Sequence, residues 1–396
     1  MKKAALKKAV PKKAVPVIVA LFLVGSWVFW PPHGLTHVTT TNTVIFEREI
    51  VRILDAHCVA CHVGGGLASP LVTFEETWLS RDPIRAAILA RHMPPWAAVP
   101  GYGEFANDNG LTLRETQFVI SWVEGLGPRN AGEVFLNVRD ADEAPEAPKA
   151  SADFDRWELG EPSLIRTLEA RVVEPEQEER VERIVLDLEL TSERRVRGIE
   201  FKPGDRSVVR GATFFVDGTG QWLGSWTPWH GFVALPGGVT YSLAAGARVL
   251  AEIYYGTSDE RVVDEGRLGL FFSDEPATAL SIPSDLVLEV RGEVLAGATM
   301  QRFRSEMPID DGTRLLSLLP QLDPDIQSLE VSLRRPDGGT EILLFAKDIR
   351  LDWPTSYVFR EPVVVPPGSL LRATAYFENT SDRPQPGGFS LTVSRY

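Results

Sequence analysis

Cys58-Val59-Ala60-Cys61-His62 holds both cysteines of a 396-residue chain within four positions and follows them at once with a histidine. Three chemistries use this spacing: zinc binding, dithiol exchange and covalent haem attachment. A zinc site needs four ligands, or three and a water, usually from a second cysteine pair or two spaced histidines. No second pair exists, and His57 and His62 crowd the thiols too closely for an easy site. A redox dithiol expects a βαβ setting, whereas both flanks here read as helices. Haem attachment uses every position. Two thiols one helical turn apart add to the vinyl groups, and His62 is left under the ring as axial ligand. Gly64-Gly65-Gly66 would then let backbone pass close to the macrocycle. The expectation is a small all-α domain holding one covalently attached haem c on Cys58, Cys61 and His62.

The surrounding sequence fits such a domain. Phe46, Ile50 and Leu54 recur at i, i+4, i+8 with Val51 beside them, which predicts one buried helical face. In "RDPIRAAILARHM" Asp82 is a candidate N-cap with Pro83 at the first helical position. In "LTLRETQFVISWVEGLGP" Thr112 and Glu115 have capping-box spacing. Phe118, Val119, Trp122, Val123 and Leu126 follow, before Gly127-Pro128 ends the pattern.

The sixth iron ligand decides what a haem does. Downstream candidates are His92 and Met93, in "ARHMPPWAAVPGYG". Pro94 biases Met93 towards an extended backbone and Pro95 stiffens the loop, so a side chain can be held across a ring. Methionine opposite histidine raises the potential and blocks oxygen, the arrangement of an electron carrier. Met93 is the expected ligand, making His62 and Met93 the metal ligands. Ligation by His92, or a five-coordinate haem with Met93 as packing, are the alternatives. Trp96 either covers a haem edge or simply packs.

The chain begins with Lys2, Lys3, Lys7, Lys8, Lys12 and Lys13, then runs through the uncharged apolar stretch Ala14 to Trp30, closed by Pro31-Pro32. Lysines before an apolar run mark an export signal. A helix over this run reaches about 25 Å, near the border between a long signal peptide and an anchor. No A-x-A site closes it, and Trp27 and Trp30 suit a membrane interface. An uncleaved anchor is expected, with Val24-Gly25-Ser26 the alternative cleavage site. The expected location is the periplasmic side of a bacterial inner membrane, or the free periplasm if the signal is cleaved. Net charge is −13 although those lysines are included, so the exported body is more acidic still. An acidic body excludes nucleic acid as partner, since phosphate binding needs clustered Lys and Arg.

At 44 % hydrophobic and 24 % charged the body is globular, and its length asks for two or three cores. "RDADEAPEAPKASADFD" (Arg139 to Asp155) is acidic, rich in Pro and Ala and without periodicity, hence a linker. Beyond it, "RIVLDLEL", "ATFFVDG", "VLAEIYY", "LVLEVRG", "LEVSLRR" and "LLRATAYFEN" are short and alternating, with Gly, Pro, Asp and Asn between them. The expected architecture is multidomain. A signal anchor and juxtamembrane segment (1–40) precede an all-α cytochrome c domain (41–130) and a linker (131–155). An all-β tandem sandwich follows (156–285 and 286–396).

"RHMPPWAAVPGYGEFANDNGLTLRETQFVISWVEGLGP" resembles the cytochrome c domain that some bacterial proteins fuse to a copper type II, ascorbate-dependent monooxygenase-like module. Shared features are M-P-P-W, G-x-F-x-N-D and the W-V-x-G ending. The resemblance covers most of 41–130 and implies Cys58, Cys61, His62 and Met93 as haem-binding residues. The β half, in "RVRGIEFKPGDRSVVRGATFFVDG" and "RRPDGGTEILLFAKDIRLDWPTSYVFREPVVVPPGSLLRATAYFEN", is similar to that module, two sandwiches related to peptidylglycine hydroxylating monooxygenase. In the family, histidines and a methionine hold one copper on each sandwich. Here the His-His pair falls on Arg210-Gly211. The His-x-His falls on Ile253 and Tyr255, and a histidine-rich turn falls near Gln321, Leu322 and Asp323. After Met93 the chain holds one histidine, His230, and two methionines, Met300 and Met307. One imidazole cannot build two copper(II) sites, so copper is not expected and His230 is expected to pack.

Three functions follow as expectations. The first is electron transfer by a monohaem cytochrome whose β half docks a redox partner protein or membrane complex. The second is a haem-fed copper-type monooxygenase or other oxidoreductase with substrate in the β module. The third is a structural or adhesion protein stapled by haem. No catalytic residues are assigned. The chain has no G-x-S-x-G, P-loop or H-E-x-x-H, and Glu75-Glu76 and Glu158/Glu161 read as solvated faces.

Overall fold

The computed structural model of the protein describes residues 44–131, 154–273 and 285–396. The apolar run Ala14 to Trp30 and nearly all of the expected linker lie outside the described residues. Among the described residues no helix is long and apolar enough to cross a membrane. Thr43–Tyr396 cluster as one compact unit.

A π-helical turn, Phe46–Ile50, runs into α1 (Val51–His57), followed by α2 (Phe74–Leu79), α3 (Arg81–Leu89) and α4 (Leu113–Glu124). Phe46, Ile50, Val51 and Leu54 are buried as their spacing predicts, against Phe74, Trp78, Val119 and Trp122. The Thr112–Glu115 capping box forms, and Thr73 and Glu76 make a second one at α2. Asp82 does not cap α3. Ser80 both closes α2 and precedes α3, so Asp82 lies inside the first turn. Its carboxylate still suits the positive end of the helix there. Leu126 is likewise displaced from the expected apolar face: α4 stops at Glu124, and Leu126 adopts a left-handed φ of 68° with 44 % exposure.

From Leu164 onward the described chain is built of strands. The first eleven are β1 (Leu164–Thr167), β2 (Arg171–Val173), β3 (Arg180–Asp187), β4 (Arg194–Lys202), β5 (Val209–Val216), β6 (Trp222–Trp226), β7 (Phe232–Ala234), β8 (Tyr241–Leu243), β9 (Arg248–Tyr255), β10 (Val262–Asp264) and β11 (Arg267–Phe272). Order β1-β11-β4-β7, with β8 also on β4, faces order β3-β9-β5-β6, and β10 pairs β2 in a short ribbon. Ile184, Leu186, Phe201, Phe214, Ile253 and Leu270 fill the space between these sheets.

The second sandwich comprises β12 (Leu286–Val294), β13 (Gln301–Ile309), β14 (Thr313–Leu322), β15 (Ile326–Arg334), β16 (Thr340–Lys347), β17 (Tyr357–Val365), β18 (Ser369–Phe377) and β19 (Gln385–Arg395). Order β12-β19-β14-β17 packs on order β13-β18-β15-β16 around Leu318, Leu329, Leu371, Phe377 and Phe389. Every strand pair is antiparallel. Each of the six segments expected as strands overlaps a strand.

The segment after Met93 belongs to both halves. Val99 N–H donates to the Phe345 carbonyl at 2.8 Å, and the Ala97 carbonyl accepts from the Lys347 N–H at 2.9 Å. Further on, Ala106 donates to Val358 at 2.7 Å and Arg360 to Glu104 at 2.9 Å. β16 and β17 are the edges of their sheets, so this loop covers two exposed edges at once. Ala98 and Phe105 are thereby buried in the core of the second sandwich.

Candidate haem site

α1 ends at His57, but the turn continues. Cys61 N–H donates to the Cys58 carbonyl at 3.0 Å and His62 N–H to the same oxygen at 2.9 Å. Both thiols and the imidazole therefore share one helical turn. The chain then folds back, with Leu71 N–H donating to the His62 carbonyl at 3.0 Å. A Cβ at Gly66 would stand 2.5 Å from the Cys61 carbonyl oxygen, whereas Gly64 and Gly65 face open space. The close approach that requires glycine is thus to the chain's own attachment turn.

His62 Nδ1 lies 2.8 Å from the carbonyl oxygen of Ser69. A carbonyl only accepts, so Nδ1 is the donor, and in the neutral ring the lone pair is then on Nε2. Ligating histidines are commonly held in this manner, with the ring oriented by the nitrogen that does not bind the metal. His57 differs: its Nδ1 is 3.2 Å from the Asn109 carbonyl and its Nε2 is 3.4 Å from Glu115 Oε1, so both nitrogens are occupied.

The cysteines are free, and burial pushes each thiol up to about 12. Reactive dithiols have lowered values, so neither side chain has the thiolate character of an exchange reagent.

α3 carries Ile84 and Ile88 yet buries no residue. Those two, with Cys58, Val63, Val72, Leu111 and Phe118, form the half-buried rim of the α-domain core. An amphipathic helix needs a partner for its apolar stripe, and a macrocycle held at Cys58 and Cys61 would supply one. The donor set and the uncovered rim both fit haem c. Met93 follows α3, half-buried, on the wall of a cavity of about 450 Å³ that it shares with Ile88 and Leu111. Cys58, Cys61 and His62 do not line that cavity. The structure brings three of the four expected residues onto one turn and places Met93 on the wall of a separate cavity, which Ile88 and Leu111 also line. His92 is exposed. Trp96 packs edge-on against Tyr357, with ring centres 5.1 Å apart, and against Phe105 at 5.9 Å.

The positions matched to copper ligands are distributed differently. Arg210 sits at a register break in β5 and ion-pairs with Glu179 at 2.7 Å and with Asp352 at 3.3 Å. Gly211 meets Pro354 of the second sandwich. Ile253 and Tyr255 point into the first sandwich core, where the Tyr255 hydroxyl donates to Asp264 at 2.8 Å. Their neighbours Glu252 and Tyr254 face a cleft of about 340 Å³ between the sandwiches, along with Thr213, Gln321 and Trp353. Alternation along β9 gives this phase, one residue away from the matched pair. The cleft lining contains no imidazole or thioether. His230 packs in a two-residue hairpin with Thr227, its ring centre 4.8 Å from that of Phe232.

One contact had no signal in the sequence. Arg206, from the loop between β4 and β5, donates to the carbonyl of Ala60 inside the C-x-x-C turn at 3.1 Å.

No family model matches the chain, and no curated protein does. Among solved structures, the major capsid protein P2 of bacteriophage PM2 is 10 % identical, with 57 % of this chain and 97 % of that one aligned at a TM-score of 0.24. The triple jelly-roll turret protein of an archaeal virus is 9 % identical, over 63 % of this chain and 64 % of that one, at 0.19. The chain thus spans less than two thirds of that protein. The tandem CBM22-1–CBM22-2 domain of Paenibacillus barcinonensis Xyn10C is 11 % identical, over 59 % of this chain and 92 % of that one, at 0.16. Likenesses this slight carry no argument about function.

Proposed function

We propose that this chain is an exported monohaem c-type cytochrome that transfers electrons, anchored by its N-terminal apolar run on the periplasmic side of a bacterial inner membrane. The observation that carries the reading is His62, held through Nδ1 by Ser69 with Nε2 free, on the same turn as both thiols. Cys58 and Cys61 would hold the haem through thioethers, His62 would ligate its iron, and Met93 is the candidate sixth ligand. Bound haem would supply a single reversible electron. The chain's own part is to fix the imidazole, to cover the ring with Val63, Val72, Ile84, Ile88 and Leu111, and to tie the methionine loop to β16 and β17. The β half, resembling the monooxygenase module without its ligands, serves as a docking or assembly surface for a redox partner protein or membrane complex.

The test is chemical. Protein purified from a host that attaches haem c is expected to keep its haem through acid-acetone extraction and to give a c-type reduced pyridine haemochrome. Extractable haem, or none, overturns the reading. A second reading, a haem-fed copper-type monooxygenase, draws on the cleft between the sandwiches. Stoichiometric type II copper with ascorbate-dependent oxygen uptake would establish it instead.

A further inference from the structure

Arg206 joins the first sandwich to the attachment turn across 146 residues of sequence. Its Nη2 donates to the Ala60 carbonyl at 3.1 Å and to the Pro228 carbonyl at 3.3 Å. The guanidinium carbon stands 3.7 Å from the centre of the Phe154 ring and 5.7 Å from that of Trp226. Its Nε is buried with no partner. Carbonyl dipoles and ring faces solvate a cation but do not cancel its charge, and no carboxylate among the described residues forms an ion pair with it. Five acids share its cavity, Asp55, Asp155, Glu158, Glu200 and Glu265, none of them in an ion pair with it, and Glu200 accepts from the N–H groups of Glu158 and Leu159 at 3.0 and 3.1 Å and pairs with Lys202 at 3.6 Å. A half-buried arginine without a counter-ion is uncommon, because such a charge is costly to leave unpaired.

We propose that Arg206 is a positioning residue for the haem-attachment turn and that its uncompensated charge raises the reduction potential of the haem held there. The inference rests on the cytochrome reading. Ferric iron carries one more positive charge than ferrous iron, so a fixed neighbouring cation disfavours the ferric state. Partial burial limits screening by salt. The same bond ties Ala60, between the two cysteines, to the β half, so the sandwich both holds the turn and tunes it.

The full-length holoprotein is compared with Arg206→Lys, Arg206→Gln and Arg206→Met by spectroelectrochemical titration. Loss of the charge is expected to change the ferric-to-ferrous ratio at fixed potential by about tenfold towards ferric, which is about 59 mV for a one-electron couple. Arg206→Lys is expected to shift by less than half of that. Either neutral variant suffices if it retains covalent haem. If both lose haem while the lysine variant keeps it, the positioning role stands. Equal potentials in all four proteins overturn the proposal, as does an equal shift in lysine and neutral variants, or loss of haem from all three. A wild-type protein without covalent haem would instead sink the cytochrome reading, and this inference with it.

Discussion

Asn107 is bonded to the second sandwich in both directions: its Oδ1 accepts from Val358 N–H at 3.0 Å, and its Nδ2 donates to the Ser356 carbonyl at 2.7 Å. The side chain is 4 % exposed, so both backbone groups rely on it rather than on water. Asn107→Ala would leave a buried donor and a buried acceptor unpaired, at about 2–4 kcal/mol together. We expect a fall of that size in denaturant stability, with Asn107→Asp intermediate because it keeps the acceptor and loses the donor. Because residues 97–107 also form the strand-like edge contacts after Met93, the alanine variant should lose protection from hydrogen exchange at Ala106 and Arg360. Unchanged exchange there would separate the loop from this clamp.

Met93 and His92 give opposite expectations for the sixth ligand. Met93 is half-buried on the cavity wall and His92 is exposed. In the holoprotein, Met93→Ala should abolish the weak near-infrared sulfur-to-iron band and lower the potential, since a thioether favours ferrous iron. His92→Ala should leave both unaltered. The reverse pattern would assign His92 and weaken the electron-carrier reading.

Much of the fold was legible because its signals are local. The spacing of Phe46, Ile50 and Leu54, the Thr112–Glu115 box and the alternating strand segments each depend on residues within a turn or a pleat of one another. The turn bearing Cys58, Cys61 and His62 was legible for the same reason. What escaped depends on distant partners. The pairing of residues 97–107 with two sheet edges is created only when β16 and β17 have formed, and nothing near Arg206 announces Ala60. The phase of β9 also needed the fold: Ile253 and Tyr255 face the core while Glu252 and Tyr254 face the cleft. A shift of one residue exchanges the faces of a strand.

His230 gives the protein a pH dependence of definite sign. Burial lowers its pKa from 6.5 to about 4. Between these values the unfolded chain takes up a proton that the folded one refuses. Its stabilising contribution is therefore complete above pH 6.5 and is lost as pH falls to about 4, by about 3 kcal/mol at most. Comparison with His230→Phe isolates this group from the carboxylates. The stability of wild type relative to the variant should fall by up to that amount between pH 7 and pH 4. A difference that does not vary with pH would mean that the ring is solvated in the native state.

At Gly211, the position that the sequence resemblance sets against a copper ligand, the packing opposes any side chain. A Cβ at this position would lie 2.3 Å from Pro354 Cγ and 2.9 Å from Cδ. The pyrrolidine ring cannot rotate aside as a flexible side chain could, so the two sandwiches must part or β5 must shift. Arg210, one residue earlier, fixes the same contact through its ion pair with Asp352. Gly211→Ala should therefore cost about 1–3 kcal/mol by overpacking, and Gly211→His more. The double variant Arg210→His/Gly211→His adds two imidazoles but removes the guanidinium that bridges Glu179 and Asp352, leaving Asp352 to Arg350, and forces the interface open. It is expected to unfold at lower denaturant than wild type and to show no stoichiometric type II copper by electron paramagnetic resonance after copper loading. Wild-type stability together with one bound copper per chain would show that the interface accommodates side chains at both positions and would overturn the packing argument.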